Sequence, residues 1–569
     1  MREMKKIYQL ILIGIIGSFS LKSNAQSVAV GNAVLEDYYR RMQLLGKLDS
    51  SMSFGVRPLF NEALKKDNVF DPDSSLHEDQ WLKSSGPIRF ANGKGMFQLL
   101  PFSWQQQLNS HHPYGWNDGA MIPAKGYQTM LSAGFFTKIG PLSIQLRPEV
   151  VYAANTNFES YGDDRSDLEL SAYYNNNYNY IDAPERFGNG AYQKFLWGQS
   201  SIRLTFGPAS FGLSNENLWW GPGMRNTLMM SNTASGFKHL TLNTVRPVKT
   251  FIGSFEAQIV AGRLEESTYG PLPVQQTSDG TNLWAVPRND WRYLSGINLN
   301  YQPKWLPGLF LGFTRTFMAY HNDLNSLGDY IPFFTPFEKS KISGGEETYP
   351  RDQRTSVYAR WLFPKAHAEV YFEYGINDNS YNFRDFIGAP DHSRAYLIGL
   401  RKLVSIKGRT DEFIQVNAEL TQLSESIDGL LLRGAGGFYY HSGVSQGYTN
   451  LGEVLGAGTG SGGNLQSFDL SWVKGLKKLG LAFERYEHNM DFYNASLRNA
   501  AGGSRRWVDF AIAAQGTWNY KNLLFNAKLQ GIKSLNYQWR QKNYSPGAYY
   551  IPNNDVFNFH GELGVAFRF

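Results

Sequence analysis

The chain has 569 residues, 15% of them Phe, Tyr or Trp, with 57 glycines, no cysteine and a mean hydropathy of −0.38. Its formal net charge is +6, and Arg2, Lys5, Lys6 and Lys22 against Glu3 account for half of that, so the remainder gives no basis for nucleic-acid binding. Without a cysteine there is no thiol to carry a lipid anchor, and past the N-terminus no stretch is long and apolar enough for a membrane helix of roughly 20 residues.

The first 25 residues read as a cleaved signal peptide. Arg2, Lys5 and Lys6 precede an apolar run from Ile7 to Gly17, and Ser23-Asn24-Ala25 offers small residues before a cut at Gln26. Residues 26–95 then predict a small helical region. Between Asn32 and Leu48, the residues Leu35, Tyr38, Tyr39, Met42 and Leu45 recur at helical spacing, with Glu36, Asp37, Arg40 and Arg41 between them. A second short helix is expected from Pro58 to Lys65, with proline in its first turn. In a barrel protein this region would lie on the periplasmic side.

From about residue 96 the period changes to two. In the run from Ala368 to Ile376, the residues Ala368, Val370, Phe372, Tyr374 and Ile376 share one face, and Glu369, Tyr371, Glu373 and Gly375 share the other. Ile202, Leu204 and Phe206 alternate in the same way with Arg203 and Thr205. Each run suits a tilted spanning strand of roughly 9–11 residues. Eighteen candidates can be counted, the first at 127–138, the last at 556–569, with 432–441 among them. Insertions at 155–198, 264–290, 320–352 and 442–463 are expected as extracellular loops. The final run ends on the aromatic Phe569, as outer-membrane barrels characteristically do, and is expected to pair with the first strand so that no edge is left in lipid. The expected fold is an all-β transmembrane β-barrel of about 18 antiparallel strands over 96–569, with a small N-terminal periplasmic helical region.

The segment Asn217-Leu218-Trp219-Trp220-Gly221-Pro222-Gly223, followed by Leu228-Met229-Met230-Ser231-Asn232, resembles the signature of the Wzi family of outer-membrane capsule-assembly proteins. The stretch from Leu35 to Arg57-Pro58 is similar to the N-terminal part of that family. The resemblance implies a cell-surface lectin that binds exported capsular or surface polysaccharide and helps attach or assemble it. It also implies outer-membrane lipid as surroundings and polysaccharide export proteins as candidate partners. A monomer without cofactor, metal or catalytic residues is expected.

Sugar recognition needs flat aromatic faces for C–H-rich ring surfaces, and amides or guanidinium groups for hydroxyls and carboxylates. On that chemistry the glycan-binding candidates are Tyr174, Asn176, Tyr178 and Tyr180 in the Asn/Tyr-rich insertion, then Trp219, Trp220, Arg225, Asn226, Trp284 and Arg288. Tryptophan and tyrosine also populate the interfacial girdles of any barrel, which is their competing role. A porin-like channel for small solutes is the alternative function, and it would require an open lumen. Arg147, Glu149, Arg203, Arg360, Glu369, Tyr371, Glu373, Lys528 and Arg568 are expected to face inward and to close the interior by mutual pairing.

Four motifs are read as structural. Gly443-Val444-Ser445-Gln446-Gly447 matches the nucleophile-elbow pattern but lacks the following helix that the chemistry requires. Gly458, Gly460 and Gly463 fit a dinucleotide fingerprint with no βαβ unit around them. His111-His112 and the acids Asp163, Asp164 and Asp167 lack convincing metal-ligand spacing and read as solvated loop residues.

Overall fold

The computed structural model describes residues 26–77, 80–82, 86–333, 351–377, 383–388, 393–426, 437–498, 506–540, 552 and 554–569. The expected signal peptide lies outside the described residues.

Alternating sequence becomes a closed sheet of 18 spanning strands. In chain order they are β1 (Gly95–Asn109), β2 (Gly126–Ile139), β3 (Leu142–Leu146 and Glu149–Ala153), β4 (Tyr192–Leu196 and Ser201–Phe206), β5 (Ala209–Ser214) and β6 (Lys238–Thr244). Next come β7 (Gly253–Leu264), β8 (Arg292–Pro303), β9 (Leu309–Tyr320), β10 (Arg351–Phe363), β11 (Ala368–Asn377) and β12 (Arg394–Ser405). The circuit finishes with β13 (Glu412–Gln422), β14 (Asn464–Lys474), β15 (Lys477–Glu487), β16 (Val508–Tyr520), β17 (Leu523–Leu535) and β18 (Val556–Phe567). Each pairs antiparallel with the next, and β18 returns to β1 in a register running from His560 opposite Asn109 to Phe567 opposite Phe102. β3 is interrupted at Pro148, which has no N–H to give to the ladder.

Two strand assignments need correction, and they cancel in the count. β1 was not among the expected strands, because Pro101 and a register shift between Leu100 and Ser103 break its alternation. The expected strand at 432–441 is not formed in its described part: residues 437–441 are turn and coil inside the barrel, while 432–436 lie outside the described residues.

The two faces of the wall are inverted relative to a water-soluble protein. On β11, Val370 and Phe372 are exposed outward while Glu369, Tyr371 and Glu373 are buried, and on β4 Ile202, Leu204 and Phe206 are exposed while Arg203 and Thr205 are buried. An apolar band of this extent around a closed sheet is stable against hydrocarbon rather than water, and closure leaves the sheet no free edge. No described helix is long and apolar enough to cross a membrane; the strands cross it.

Segments inserted from both ends fill the lumen. The helix α1 (Ala33–Leu44) enters at the end where the connections are short, as at Gly140–Pro141, Gly207–Pro208 and Gly475–Leu476. Its Asn32 side chain caps the first turn by accepting from the Leu35 N–H. The apolar face of α1 (Leu35 and Tyr39) packs with Met52, Phe54 and Phe70 onto Met96, Leu100, Phe136 and Leu524 of the wall. The short second helix, α2 (Asn61–Leu64), follows. On the polar face, Arg40 Nε lies 2.7 Å from Glu369, whose other oxygen pairs with Arg360, and Asp37 pairs with Arg401. From the long-loop end, residues 215–237 and 437–463 fold down to meet this helical region around a core that includes Trp220, Leu228, Met229, Phe438, Tyr439 and Tyr448. Between α1, β1 and β15–β18 a polar chamber of about 400 Å³ remains, bordered by Asp118, Arg401, Lys478 and Lys528.

Candidate functional site

The ten glycan-binding candidates fall into two places, one deep in the lumen and one in the loop cap. Trp219, Trp220, Arg225 and Asn226 lie in the lumen. Trp219–Trp220 forms a short antiparallel pair with Val56–Arg57, and the Arg57 guanidinium sits 4.9 Å from the Trp219 ring centre. Trp220 is fully buried and its indole N–H donates to Gln258 at 2.8 Å. Immediately after, the chain turns so tightly that the backbone N–H groups of Met224, Arg225 and Asn226 all donate to the Glu419 carboxylate, the shortest at 2.7 Å. This turn explains the glycines of the motif. Gly221 has φ +136°, and a Cβ on Gly223 would stand 1.8 Å from the Asn226 carbonyl oxygen. Arg225 completes the anchorage with Nε 2.7 Å from Glu484 and its guanidinium 4.1 Å from the Trp116 ring centre. In this conformation Trp220, Arg225 and Asn226 tie the lumen filling to the wall, and Trp219 ties it to the Val56–Arg57 segment.

The other six candidates belong to the cap over the long-loop end. The helix α3 (Asp167–Asn176) starts with a capping box between Ser166 and Glu169. Its Tyr173 and Tyr174, with Tyr178, pack against Tyr161, Leu272, Phe492 and Trp539 in a small aromatic core built from four different loops. Within it Tyr174 is buried and donates its hydroxyl to the Val274 carbonyl at 2.7 Å, and the Asn176 amide donates to Ser496 Oγ at 3.0 Å. Burial pushes the Tyr174 and Tyr178 hydroxyls up, so both stay protonated donors. Trp284 is half-buried against this core, whereas Tyr180 is half-buried against the lumen core beneath it. Arg288 is exposed, paired with Asp323 at 2.8 Å, and lies 4.8 Å from the centre of the Tyr320 ring.

Beside this core, the loops 155–190 and 264–276 enclose an open cleft of about 580 Å³ whose lining includes Asn157, Phe158, Glu185, Arg186, Tyr269 and Gln275. None of these residues stands in a biased stretch like the Asn/Tyr run; only the pairing of two distant loops brings them together.

The remaining motifs serve the loops. Gly443 and Val444 donate their N–H groups to His441 Nδ1 at 3.1 and 2.9 Å, so the elbow-like pattern is a turn wrapped on its own histidine. Gly458 lies against the Trp116 side chain, where a Cβ would come within 2.4 Å. Asp163 accepts from the Ser160 N–H and Asp167 from the Ser278 N–H, each bracing a loop.

These features define a membrane-spanning β-barrel with a filled interior and an aromatic, amide-rich loop cap. The chain belongs to the family described as capsule assembly protein Wzi, whose model matches residues 123–524. Among solved structures it is similar to Wzi of Escherichia coli, described as an outer membrane protein involved in group 1 capsule assembly and as a carbohydrate-binding β-barrel. That likeness is one of fold, at 12% identity and TM-score 0.58, covering 96% of this chain and 100% of the other. OccAB2 of Acinetobacter baumannii is also similar at 10% identity and TM-score 0.37, covering 82% of this chain and 97% of its own. OccK7 (OpdD) of Pseudomonas aeruginosa follows at 11% identity and TM-score 0.38, covering 84% and 99%. A search of curated proteins finds no match.

Proposed function

We propose that this protein is an outer-membrane barrel that binds exported capsular or surface polysaccharide and helps attach or assemble it at the cell surface. Membership of the capsule-assembly family supports the assembly role, and the description of the Escherichia coli barrel as carbohydrate-binding supports the ligand. The observation in this chain that carries the reading is the filling of the lumen by α1, residues 215–237 and residues 437–463. A wall that holds such a filling works at its ends. The end built from long loops offers tyrosine, tryptophan, asparagine and arginine side chains to a glycan.

On this reading the first 25 residues direct export and are removed, the short-turn end with α1 faces the periplasm, and the barrel acts as a monomer. Polysaccharide export proteins would then meet the α1 end. Deleting the gene and scoring polysaccharide as retained or shed tests the proposal. Polysaccharide shed into the medium is the expected result, and polysaccharide fully retained on the mutant cells would overturn it.

A further inference from the structure

The cleft between the loops 155–190 and 264–276 lies outside the lumen filling and borders the aromatic core through Leu272, and its walls are set in advance. Asn155 donates its amide to the carbonyls of Phe187 and Gly190, each at 2.9 Å, which fixes the course of one wall. Glu185 joins the walls: its N–H donates to the Pro271 carbonyl at 3.2 Å, and its carboxylate accepts from the Ser160 hydroxyl at 2.8 Å. Gly188, at φ +78°, is the position that lets Tyr269 lie across the turn, because a Cβ there would stand 3.0 Å from the tyrosine ring. Tyr269 in turn packs edge-on to Phe187 at 5.8 Å between ring centres. A site braced in this way loses little conformational freedom when a ligand enters.

The lining has the two kinds of surface a sugar needs. Phe158, Tyr269, Pro271 and Pro273 give apolar faces for C–H groups, while Asn157, Asn189 and Gln275 give amides for hydroxyls. Its charge is the discriminating feature. Among the described residues, Asp163 and Glu185 line the cleft against one cation, Arg186, which donates to the carbonyls of Asn155 and Asn189. The neighbouring Arg165 and Arg540 are engaged by Glu169 and Glu159. Among the described residues lining the cleft there is no surplus of positive charge to hold a carboxylate-bearing sugar, and Asp163 and Glu185 offer it no counter-charge. Burial also pushes the Glu185 carboxyl up to about 7, so near neutrality it can donate as well as accept a hydrogen bond.

We infer that this cleft is a glycan subsite that takes uncharged hexose units of the surface polysaccharide, with Tyr269 as stacking platform and Asn157 and Gln275 as hydroxyl partners. The inference rests on the polysaccharide-binding reading above and adds to it the place and the class of sugar.

The test uses the full-length barrel in detergent and, as probe, polysaccharide extracted from the surface of the producing cells, with affinity measured by calorimetry at about 20 mM and about 500 mM salt. Tyr269→Ala is expected to weaken binding roughly tenfold and Asn157→Ala severalfold. Leu327→Ala, at an exposed cap position outside the cleft, should leave it unchanged. Asn157 is exposed, so its variant keeps the fold even if the tyrosine variant does not. Affinity should be nearly the same at both salt concentrations. Wild-type binding that survives both cleft substitutions would overturn the subsite while leaving the polysaccharide reading intact. A loss of roughly tenfold or more at high salt would overturn the uncharged class. No wild-type binding at all would remove the reading itself and the subsite with it.

Discussion

The two ends of the barrel are closed by different chemistry. At the short-turn end α1 is held by charge: Glu369 serves both Arg40 and Arg360, and Asp37 lies between Arg41 and Arg401. At the long-loop end the closure is aromatic. Tyr161, Tyr173, Tyr178, Phe492 and Trp539 pack ring on ring, and their loops are joined mostly through side chains that donate to backbone carbonyls. The difference teaches where each end can tolerate change. A buried charge whose partner is removed is left uncompensated, so the α1 end is committed to one arrangement. Amide and ring edges at the cap remain usable by whatever approaches from outside.

The contrast can be broken most sharply at Glu369. Replacing it with alanine leaves two arginines buried without their shared carboxylate and should cost about 3–5 kcal/mol, read from urea unfolding of the refolded barrel. A stability equal to wild type would end the claim that charge locks this end. Trp220→Ala is expected to cost roughly 3 kcal/mol, by leaving a cavity and a Gln258 oxygen without its donor.

Acid should act on the same end. Although burial raises it, the Asp37 carboxyl is held below its usual value by Arg401 and Arg41. A depressed folded value means that the stabilisation is present above the unfolded value of about 4 and is lost as the pH falls below it. Proteolysis of α1 should therefore rise as the pH drops from about 5 towards 2, with an effect on the order of 1–2 kcal/mol. Asp37→Asn should flatten that acid limb and lower stability near neutrality. The smallest effect is expected at the cap rim, where Arg288→Ala removes an exposed ion pair with Asp323 and should shift stability by less than about 1 kcal/mol. A large loss there would show that the cap is locked like the other end.

Most of the wall was legible in the sequence, since period-two alternation survives wherever one face meets lipid and the other the filling. It failed where a local feature breaks the period, as Pro101 and the bulge do in β1. It also failed where a segment inside the lumen imitates a strand: Phe438, Tyr439 and Tyr440 are apolar because they fill the interior, not because they face hydrocarbon. The candidate site was less legible. Trp219 and Trp220 carry the side chains of a sugar platform, yet no residue type announces that Val56–Arg57 will pair over them and Glu419 will hold the next turn. The cleft residues Asn157, Arg186 and Tyr269 are scattered through two loops, and neither loop alone has a pattern that marks them.

The central claim is that the wall encloses a filling and that the protein works from its loop end. Single-channel recording of the purified barrel in a planar bilayer tests it most directly. No large, steady currents are expected. Stable openings of porin size from the intact wild-type chain would contradict it.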